Sequence, residues 1–210
     1  MFKSGGSLSI PVLSNNIVLI GGEKKVLHAI DVNTGQEKWS FRANEEMFRI
    51  ASANDAVYFR TSEGELFSIN EKNGLPNWFQ KIGDKLLQGI NFKPVRHNSP
   101  LALYDKTIFF VGTEKKEHYL FAVASENGQT KWQYKIDEPS RDPIVADGVI
   151  YLGSLGMFYA IDTKSGNLLW SLGAKSSLQK KTIKNIVSSP AVNNGALYFL
   201  SDEGYLYIVR

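Results

Sequence analysis

Residues 158–171 read FYAIDTKSGNLLWS, and versions of this stretch recur along the chain. The other copies are HAIDVNTGQEKWS at 28–40, FSINEKNGLPNWF at 67–79 and FAVASENGQTKWQ at 121–133. Each copy places a Gly four residues before a Trp, in the pairs Gly35 and Trp39, Gly74 and Trp78, Gly128 and Trp132, and Gly166 and Trp170. All 4 tryptophans of the chain occupy this one position of the repeat. The sequence is therefore organised as an array of similar units.

The residues before each Gly alternate as a β-strand requires. In the last copy Phe158, Ala160 and Asp162 share one face of the predicted strand. A hairpin turn then needs a residue with positive φ, which Gly adopts without steric cost. The Trp falls in the returning strand, and its apolar area and N–H group predict an anchor buried against a neighbouring sheet. A Trp-lined ligand site is the alternative, but aromatics at a fixed period are typical of propeller blades and favour the anchor.

A second element precedes each Trp motif: a short strand, a turn, and a strand rich in β-branched and aromatic residues. The short strands carry Pro11, Pro100, Pro143 and Pro190, with Ile50 in the equivalent place of the second unit. Residues that tolerate positive φ predict the turns at Asn15-Asn16, Asn54-Asp55, Tyr104-Asp105, Asp147-Gly148 and Asn194-Gly195. The strands that follow are predicted at 17–20, 57–60, 108–111, 149–152 and 197–200.

Five such units fill the 210 residues at about 42 residues each, a length typical of four-stranded propeller blades. The prediction is an all-β protein, a single β-propeller domain over 1–210 with about five antiparallel blades. The predicted blades are 7–44, 45–83, 84–137, 138–174 and 175–210, and the fifth reaches no turn Gly or Trp.

The fourth strand of the fifth blade is open to two interpretations. Phe2-Lys3 matches Phe41-Arg42 and Tyr134-Lys135, which follow the Trp in complete units, so residues 1–6 are a candidate closing strand supplied by 2–4. Closure would give a monomer, because it removes exposed strand edges. The alternative is that both ends cut through a longer repeat array, in which case open edges predict self-association.

Long connections follow the fourth strands at 82–99 and 173–188, and a third expansion, GTEKKEHY, lies at 112–119. Connections after the second and fourth strands of an antiparallel blade emerge at the same end, so the three elaborations are predicted to share one face. The candidate partner-binding residues of that face are Lys85, Lys93, Arg96, His97, Lys180, Lys181 and Lys184.

Composition excludes several kinds of site. The chain has no cysteine, which rules out disulfides and thiolate chemistry, and its net charge of +3 does not predict nucleic-acid binding. No apolar run approaches the roughly 18 to 20 residues of a membrane span, and the first six residues are not a signal peptide. The three His are far apart, and the loop Asp31–Gly35 lacks the distal Glu of a calcium loop. No catalytic, metal or cofactor-binding residue is predicted, and the sequence favours a protein that is not an enzyme.

The repeated Ala-x-Asp-x-x-Thr-Gly-x-x-x-Trp pattern resembles the pyrroloquinoline quinone (PQQ) repeat, or quinoprotein-like, β-propeller family. The best copies are Ala29, Asp31, Thr34, Gly35, Trp39 and Ala160, Asp162, Ser165, Gly166, Trp170. The family includes calcium- and PQQ-dependent alcohol dehydrogenases, a lipoprotein that helps assemble outer-membrane β-barrels, and extracytoplasmic sensor domains. The resemblance therefore implies a periplasmic or otherwise extracytoplasmic location. Most members have seven or eight blades, and the dehydrogenases use an adjacent cysteine pair that this chain lacks.

Two functions are consistent with these patterns. The first is a non-enzymatic β-propeller scaffold, without a cofactor, that binds a protein or peptide partner through the face carrying the long connections. The alternative is a fragment of a PQQ-dependent dehydrogenase-like quinoprotein.

Overall fold

The computed structural model describes residues 10–21, 24–84, 101–137, 142–154, 157–173, 190–201 and 204–210. Across these ranges the secondary structure is all β, with 19 strands in five antiparallel sheets. Four of the described sheets have four strands, and the last has three. The predicted β-propeller class with four-stranded antiparallel blades is confirmed, and the division of the chain into blades at particular residues stays a prediction.

The strands of each sheet follow chain order from one edge to the other. The first sheet contains β1 (Val12–Ser14), β2 (Ile17–Ile20), β3 (Val26–Asp31) and β4 (Glu37–Arg42). The second contains β5 (Met47–Ala53), β6 (Ala56–Thr61), β7 (Glu65–Asn70) and β8 (Pro76–Lys81). The third contains β9 (Ala102–Tyr104), β10 (Thr107–Glu114), β11 (Glu117–Ala124) and β12 (Thr130–Ile136). The fourth contains β13 (Ile144–Ala146), β14 (Val149–Gly153), β15 (Met157–Asp162) and β16 (Leu168–Gly173), and the fifth contains β17 (Ala191–Asn193), β18 (Ala196–Leu200) and β19 (Leu206–Val209).

One predicted turn between the first and second strands is wrong by a residue. Tyr104 pairs with Thr107, so the two-residue turn is Asp105-Lys106, with φ values of 43° and 55°. Tyr is a good strand residue, and it continues the short strand β9 instead of entering the turn. The other four turns lie where the sequence predicts them.

The expansion at 112–119 is not a loop. Glu114 pairs with Glu117 and Gly112 pairs with Tyr119, so β10 and β11 simply run further than their counterparts. Lys115 and Lys116 form the turn with φ values of 52° and 68°. Positive φ at both central residues is the geometry that matches a two-residue turn to the twist of a hairpin. The expansion predicted between the second and third strands is thus a longer hairpin, whose turn lacks the usual Asn-Gly or Asp-Gly signal.

The core lies in layers between successive sheets. Leu19 and Leu27 of the first sheet pack with Phe59 of the second, and all three side chains are fully buried. Phe109 and Leu120 meet Ile161 in the layer between the third and fourth sheets. Full burial of each such side chain contributes about 1.5–3 kcal/mol. These layers pack each sheet against the next one along the chain, and they thereby position the connections at the ends of the strands.

Candidate docking face

Each of the first three tryptophans packs on the turn of the following sheet. Trp39 Nε1 donates to the carbonyl of Glu71 at 2.8 Å, and a Cβ added to Gly74 would lie 2.7 Å from the Trp39 ring. The same pair of contacts links Trp78 to Ser125 O at 3.0 Å and to Gly128, and links Trp132 to Thr163 O at 3.1 Å and to Gly166. The Gly is needed for its positive φ and for the close approach of the indole. We call each such contact a Trp–Gly junction.

Trp170 differs from the other three. Its side chain stacks on Phe158 with ring centroids 6.0 Å apart, and the residue is 36% exposed. Among the residues that the structure describes, its indole N–H has no acceptor. Gly35, the turn Gly of the first sheet, has no indole packed on it among the described residues, because a Cβ there would meet nothing within 4 Å. Trp39, Trp78 and Trp132 are thus half-buried against the following sheet, whereas Trp170, predicted as the same kind of buried anchor, is exposed.

The start of the first long connection contacts the extended hairpin of the third sheet. The N–H of Asp84 donates to Thr113 O at 2.6 Å, and the N–H of Lys116 donates to Asp84 Oδ2 at 3.4 Å. A Cβ at Gly83 would lie 2.7 Å from Thr113 O. We call residues 82–84 and the hairpin 112–119 together the docking face. Two of the three elaborations that the sequence places on one face therefore meet there.

Arg60 lies directly beneath this face. Its guanidinium donates to Val111 O at 3.0 Å and to Ile82 O at 3.4 Å, and its Cζ lies 4.3 Å from the centre of the Phe110 ring. Gly112 lies beside the group: a Cβ there would lie 3.1 Å from the Phe121 ring and 3.4 Å from Nη2. Arg60 is 5% exposed, and burial lowers its pKa to about 10. The charge persists at neutral pH, and two carbonyls and an aromatic ring stabilise it.

A surface trio lies beside the tip of the hairpin. Lys135 and the hydroxyl of Tyr119 both donate to the carboxylate of Glu117, the second at 2.7 Å. The hydrogen bond from Lys135, followed by that from Tyr119, lowers the pKa of Glu117. The hydrogen bond to Glu117 raises the pKa of both Lys135 and Tyr119. These bonds tie β11 to β12 and orient the hairpin.

At the opposite end of the sheets, the described residues form short turns. Glu71 N donates to Asp55 O at 3.0 Å, and Lys72 pairs with Asp55 at 3.2 Å. In two of these turns a carboxylate holds the backbone: Asp31 Oδ1 accepts from Thr34 N at 2.9 Å, and Asp162 Oδ1 accepts from Ser165 N at 2.7 Å. These backbone bonds are the main reason that the pKa of both carboxyls is lowered. They are Asx-type turns that shape a hairpin, in which the carboxylate accepts hydrogen bonds from the backbone of its own turn.

The sequence-predicted partner residues lie outside the described ranges. These are Lys85, Lys93, Arg96, His97, Lys180, Lys181 and Lys184. Sequence reasoning missed Arg60 as part of this face. The available signal for Arg60 was a charged residue inside the otherwise uncharged run AVYFRT of β6. Within the described residues, no group of three His, Asp or Glu is placed to hold a metal ion.

The sheets and the Trp–Gly junctions define a quinoprotein-like β-propeller, as the sequence resemblance predicted. Residues 2–210 match the model of the family described as outer membrane protein assembly factor BamB, and the chain belongs to that family. Within the described ranges, no helix combines the length and apolarity of a membrane span.

Known relatives and structures support the assignment. The outer membrane protein assembly factor BamB of Yersinia pestis is 30% identical over 172 residues, which are 75% of this chain and 41% of that protein. The crystal structure of BamB from Moraxella catarrhalis superposes with a TM-score of 0.72 at 17% identity, covering 96% of this chain and 60% of that chain. A europium-containing methanol dehydrogenase gives 0.71 at 11% identity, covering 99% of this chain and 50% of that chain. At these identities the structural likeness shows the fold alone, and the chain spans less than half the length of the Yersinia relative.

Proposed function

We propose that this chain is a non-enzymatic propeller scaffold that binds a protein partner through the docking face, in the assembly of outer-membrane proteins. The observation that carries the proposal is the contact of Asp84 with Thr113 and Lys116, which joins a long connection to the hairpin at one end of the molecule. The family name supplies the biological setting, since the relatives are assembly factors for outer membrane proteins. A periplasmic location is part of the same proposal.

The structure of the face suits recognition of a folded or extended polypeptide. The hairpin tip carries charges of both signs, with Lys115 and Lys116 flanked by Glu114 and Glu117, and Lys115 to Glu117 are exposed. Such mixed charge gives specificity to a protein contact through electrostatic complementarity. Arg60 anchors the hairpin from below and the trio at Glu117 ties its tip to β12, so little order has to be gained on binding. The predicted basic residues of the two long connections would add positive charge around this tip.

Site-specific photo-crosslinking tests the proposal. A photoreactive residue at Lys116, on the hairpin tip, is compared with one at Lys164, an exposed position in a short turn at the opposite end. We expect a defined protein adduct from position 116 and none from position 164. The fourfold variant Arg96→Ala, Lys180→Ala, Lys181→Ala, Lys184→Ala should weaken the adduct. Equal crosslinking at both ends, or an adduct that the fourfold variant leaves unchanged, would count against the proposed face.

The dehydrogenase alternative makes a different prediction. A chain that held PQQ and calcium would melt at a higher temperature when both are added, because a ligand that binds only the folded state stabilises it. We expect no change in the melting temperature at saturating PQQ and calcium. The similarity to a methanol dehydrogenase at 11% identity shows the fold alone, whereas the Yersinia relative at 30% identity is an assembly factor.

A further inference from the structure

The chain contains three Asn-Gly pairs, and they lie in two different kinds of turn. Asn73-Gly74 and Asn127-Gly128 belong to turns between third and fourth strands, whereas Asn194-Gly195 joins the first and second strands of the fifth sheet. In such a pair the backbone nitrogen of the Gly can attack the side-chain amide of the Asn, because the reaction is intramolecular and no Cβ on the Gly hinders the approach. The three pairs share this chemistry and differ in their surroundings.

The two pairs in the junction turns are enclosed. Gly74 is buried, its N–H donates to Asn70 O at 2.9 Å, and a Cβ there would lie 2.7 Å from the Trp39 ring. Gly128 is also buried, with its N–H bonded at 2.9 Å to the carbonyl four residues earlier and the Trp78 ring 2.6 Å from an added Cβ. An attack by either nitrogen first requires the turn to open, which costs free energy.

Asn194-Gly195 has the opposite environment. Both residues are exposed, and among the described residues a Cβ added to Gly195 would meet nothing within 4 Å. Asn193 pairs with Ala196, so this is a two-residue hairpin turn, with φ values of 49° and 70° at its central residues. In such a turn the closing hydrogen bond is donated by the residue that follows the two central ones. The Gly195 nitrogen is therefore accessible to water and to the Asn194 side chain.

This openness is a property of the turn and does not depend on the fifth sheet. Asp147-Gly148 forms the same two-residue turn in the four-stranded fourth sheet, with φ values of 50° and 78°. Among the described residues, a Cβ added to Gly148 would meet only the Thr163 hydroxyl, at 3.8 Å. The corresponding nitrogen is thus uncovered in a complete sheet as well.

We propose that Asn194-Gly195 is a site of spontaneous covalent modification, at which the Asn194 amide becomes a carboxylate through a cyclic imide. The Gly195 nitrogen loses its proton to a base in the solvent and forms a bond to Cγ of Asn194, while the amide nitrogen takes up a proton and leaves as ammonia. Water then opens the imide at one of its two carbonyls. One product is Asp, and the other is isoaspartate, in which the main chain runs through Cβ.

The two products have different structural effects. Asp tolerates the positive φ of this position, so the turn is kept and gains a negative charge. Isoaspartate adds a carbon atom to the main chain between Asn193 and Ala196, and the chain then no longer fits a two-residue turn. The modified turn lies at the end of the sheets opposite the docking face, so the proposal goes beyond the function proposed above.

Peptide mapping by mass spectrometry compares the three sites within one sample. The intact chain is incubated at mildly alkaline pH, because the attacking nitrogen must lose its proton, and fragmentation distinguishes Asp from isoaspartate. We expect Asn194 to be converted at least roughly tenfold faster than Asn73 and Asn127, since their turns must first open. In urea, which unfolds the chain, the three rates should converge. An unmodified Asn194, equal rates in the folded chain, or rates that stay apart in urea would overturn the proposal.

Two variants separate the turn from its surroundings. Asp147→Asn places an Asn-Gly pair in the equivalent turn of the fourth sheet, and it should be converted at a rate similar to that of Asn194. An unreactive pair in this variant would assign the reaction to the fifth sheet alone and overturn the role of the turn. Trp39→Ala uncovers the turn at Asn73 and should speed its conversion, while a slow rate at Asn127 shows that the chain is still folded. No increase at Asn73 would overturn the protection assigned to the junction.

Discussion

The junction between the third and fourth sheets and the junction between the fourth and fifth sheets begin with the same motif and differ in structure. Trp132 donates to Thr163 O at 3.1 Å and covers Gly166, whereas Trp170 has no acceptor among the described residues and is 36% exposed. The second junction depends instead on Phe158, which stacks on Phe199 with centroids 4.8 Å apart. The Trp of each motif therefore supplies only the indole of a junction. The turn carbonyl and the Gly that the indole contacts belong to the following repeat.

The largest expected contrast comes from truncating the two tryptophans. Trp132→Ala removes a ring, a hydrogen bond and the cover of Gly166, and should lower the free energy of unfolding by about 3 kcal/mol. Trp170→Ala removes mainly the stacking on Phe158 and should cost about 1 kcal/mol. Denaturant titrations of both variants measure the difference. Equal losses would mean that the junction contributes nothing beyond the ring itself.

The glycine side of the junction gives the next largest effect. Gly166 and Gly35 have φ values of 71° and 69°, so Ala at either position incurs backbone strain of about 1–2 kcal/mol. At Gly166 the new Cβ also meets Trp132 at 2.6 Å, while at Gly35 it meets nothing within 4 Å. We expect Gly166→Ala to cost about 1–3 kcal/mol more than Gly35→Ala. Matching thermal denaturation curves would show that Trp132 does not rest on this turn in solution.

Arg60 tests the contact between the second and third sheets at the docking face. Arg60→Met keeps much of the side-chain volume but leaves the carbonyls of Val111 and Ile82 without this donor, and we expect a loss of about 1–2 kcal/mol. Arg42→Met, at an exposed position, is the control and should change stability by less than about 0.5 kcal/mol. Hydrogen exchange should also show faster opening of β10 near Val111 in the Arg60 variant alone. Unchanged exchange there would mean that Arg60 does not anchor the hairpin.

The smallest effect concerns pH and the short turns. The folded-state pKa of Asp162 is lowered, chiefly by the N–H of Ser165, so its contribution to stability is complete above the unfolded value near 3.8. That contribution is lost as the pH falls through the lower folded pKa. Asp162→Asn should preserve the turn, as Asn70 does in the second sheet by accepting from Lys72 N at 3.0 Å, while removing this pH dependence. Melting temperatures of the two proteins across the acid range check the expectation, and parallel curves would contradict it.

The sequence predicts the architecture well because its signals are local. Asn-Gly and Asp-Gly turns and the Gly-x-x-x-Trp motif each determine a hairpin within a few residues, without reference to the rest of the chain. The hairpin at 112–119 was not predicted, because its two-residue turn, Lys115-Lys116, contains none of the Gly, Asn or Asp residues that usually mark such a turn. Arg60 could not be identified because its partners, Ile82 and Val111, are brought to it only by packing between sheets.

Because the sequence signals are local, the sequence predicted the same environment for Trp170 as for the other tryptophans. Its local sequence is a complete copy of the motif, and the absent contact lies one repeat further on. Burial of a motif residue is therefore a property of two successive repeats. The candidate basic residues of the long connections have no repeat equivalent, and they stay a prediction for the docking face.

Exchange of the four indole N–H protons, followed by NMR, tests most directly that each Trp binds the turn of the following sheet. Trp39, Trp78 and Trp132 donate to carbonyls of that turn and should exchange slowly, at rates set by opening of their junctions. Trp170 should exchange much faster, near the rate of an exposed indole. Equal protection of all four protons, or rapid exchange at Trp132, would contradict the proposed role of the repeat.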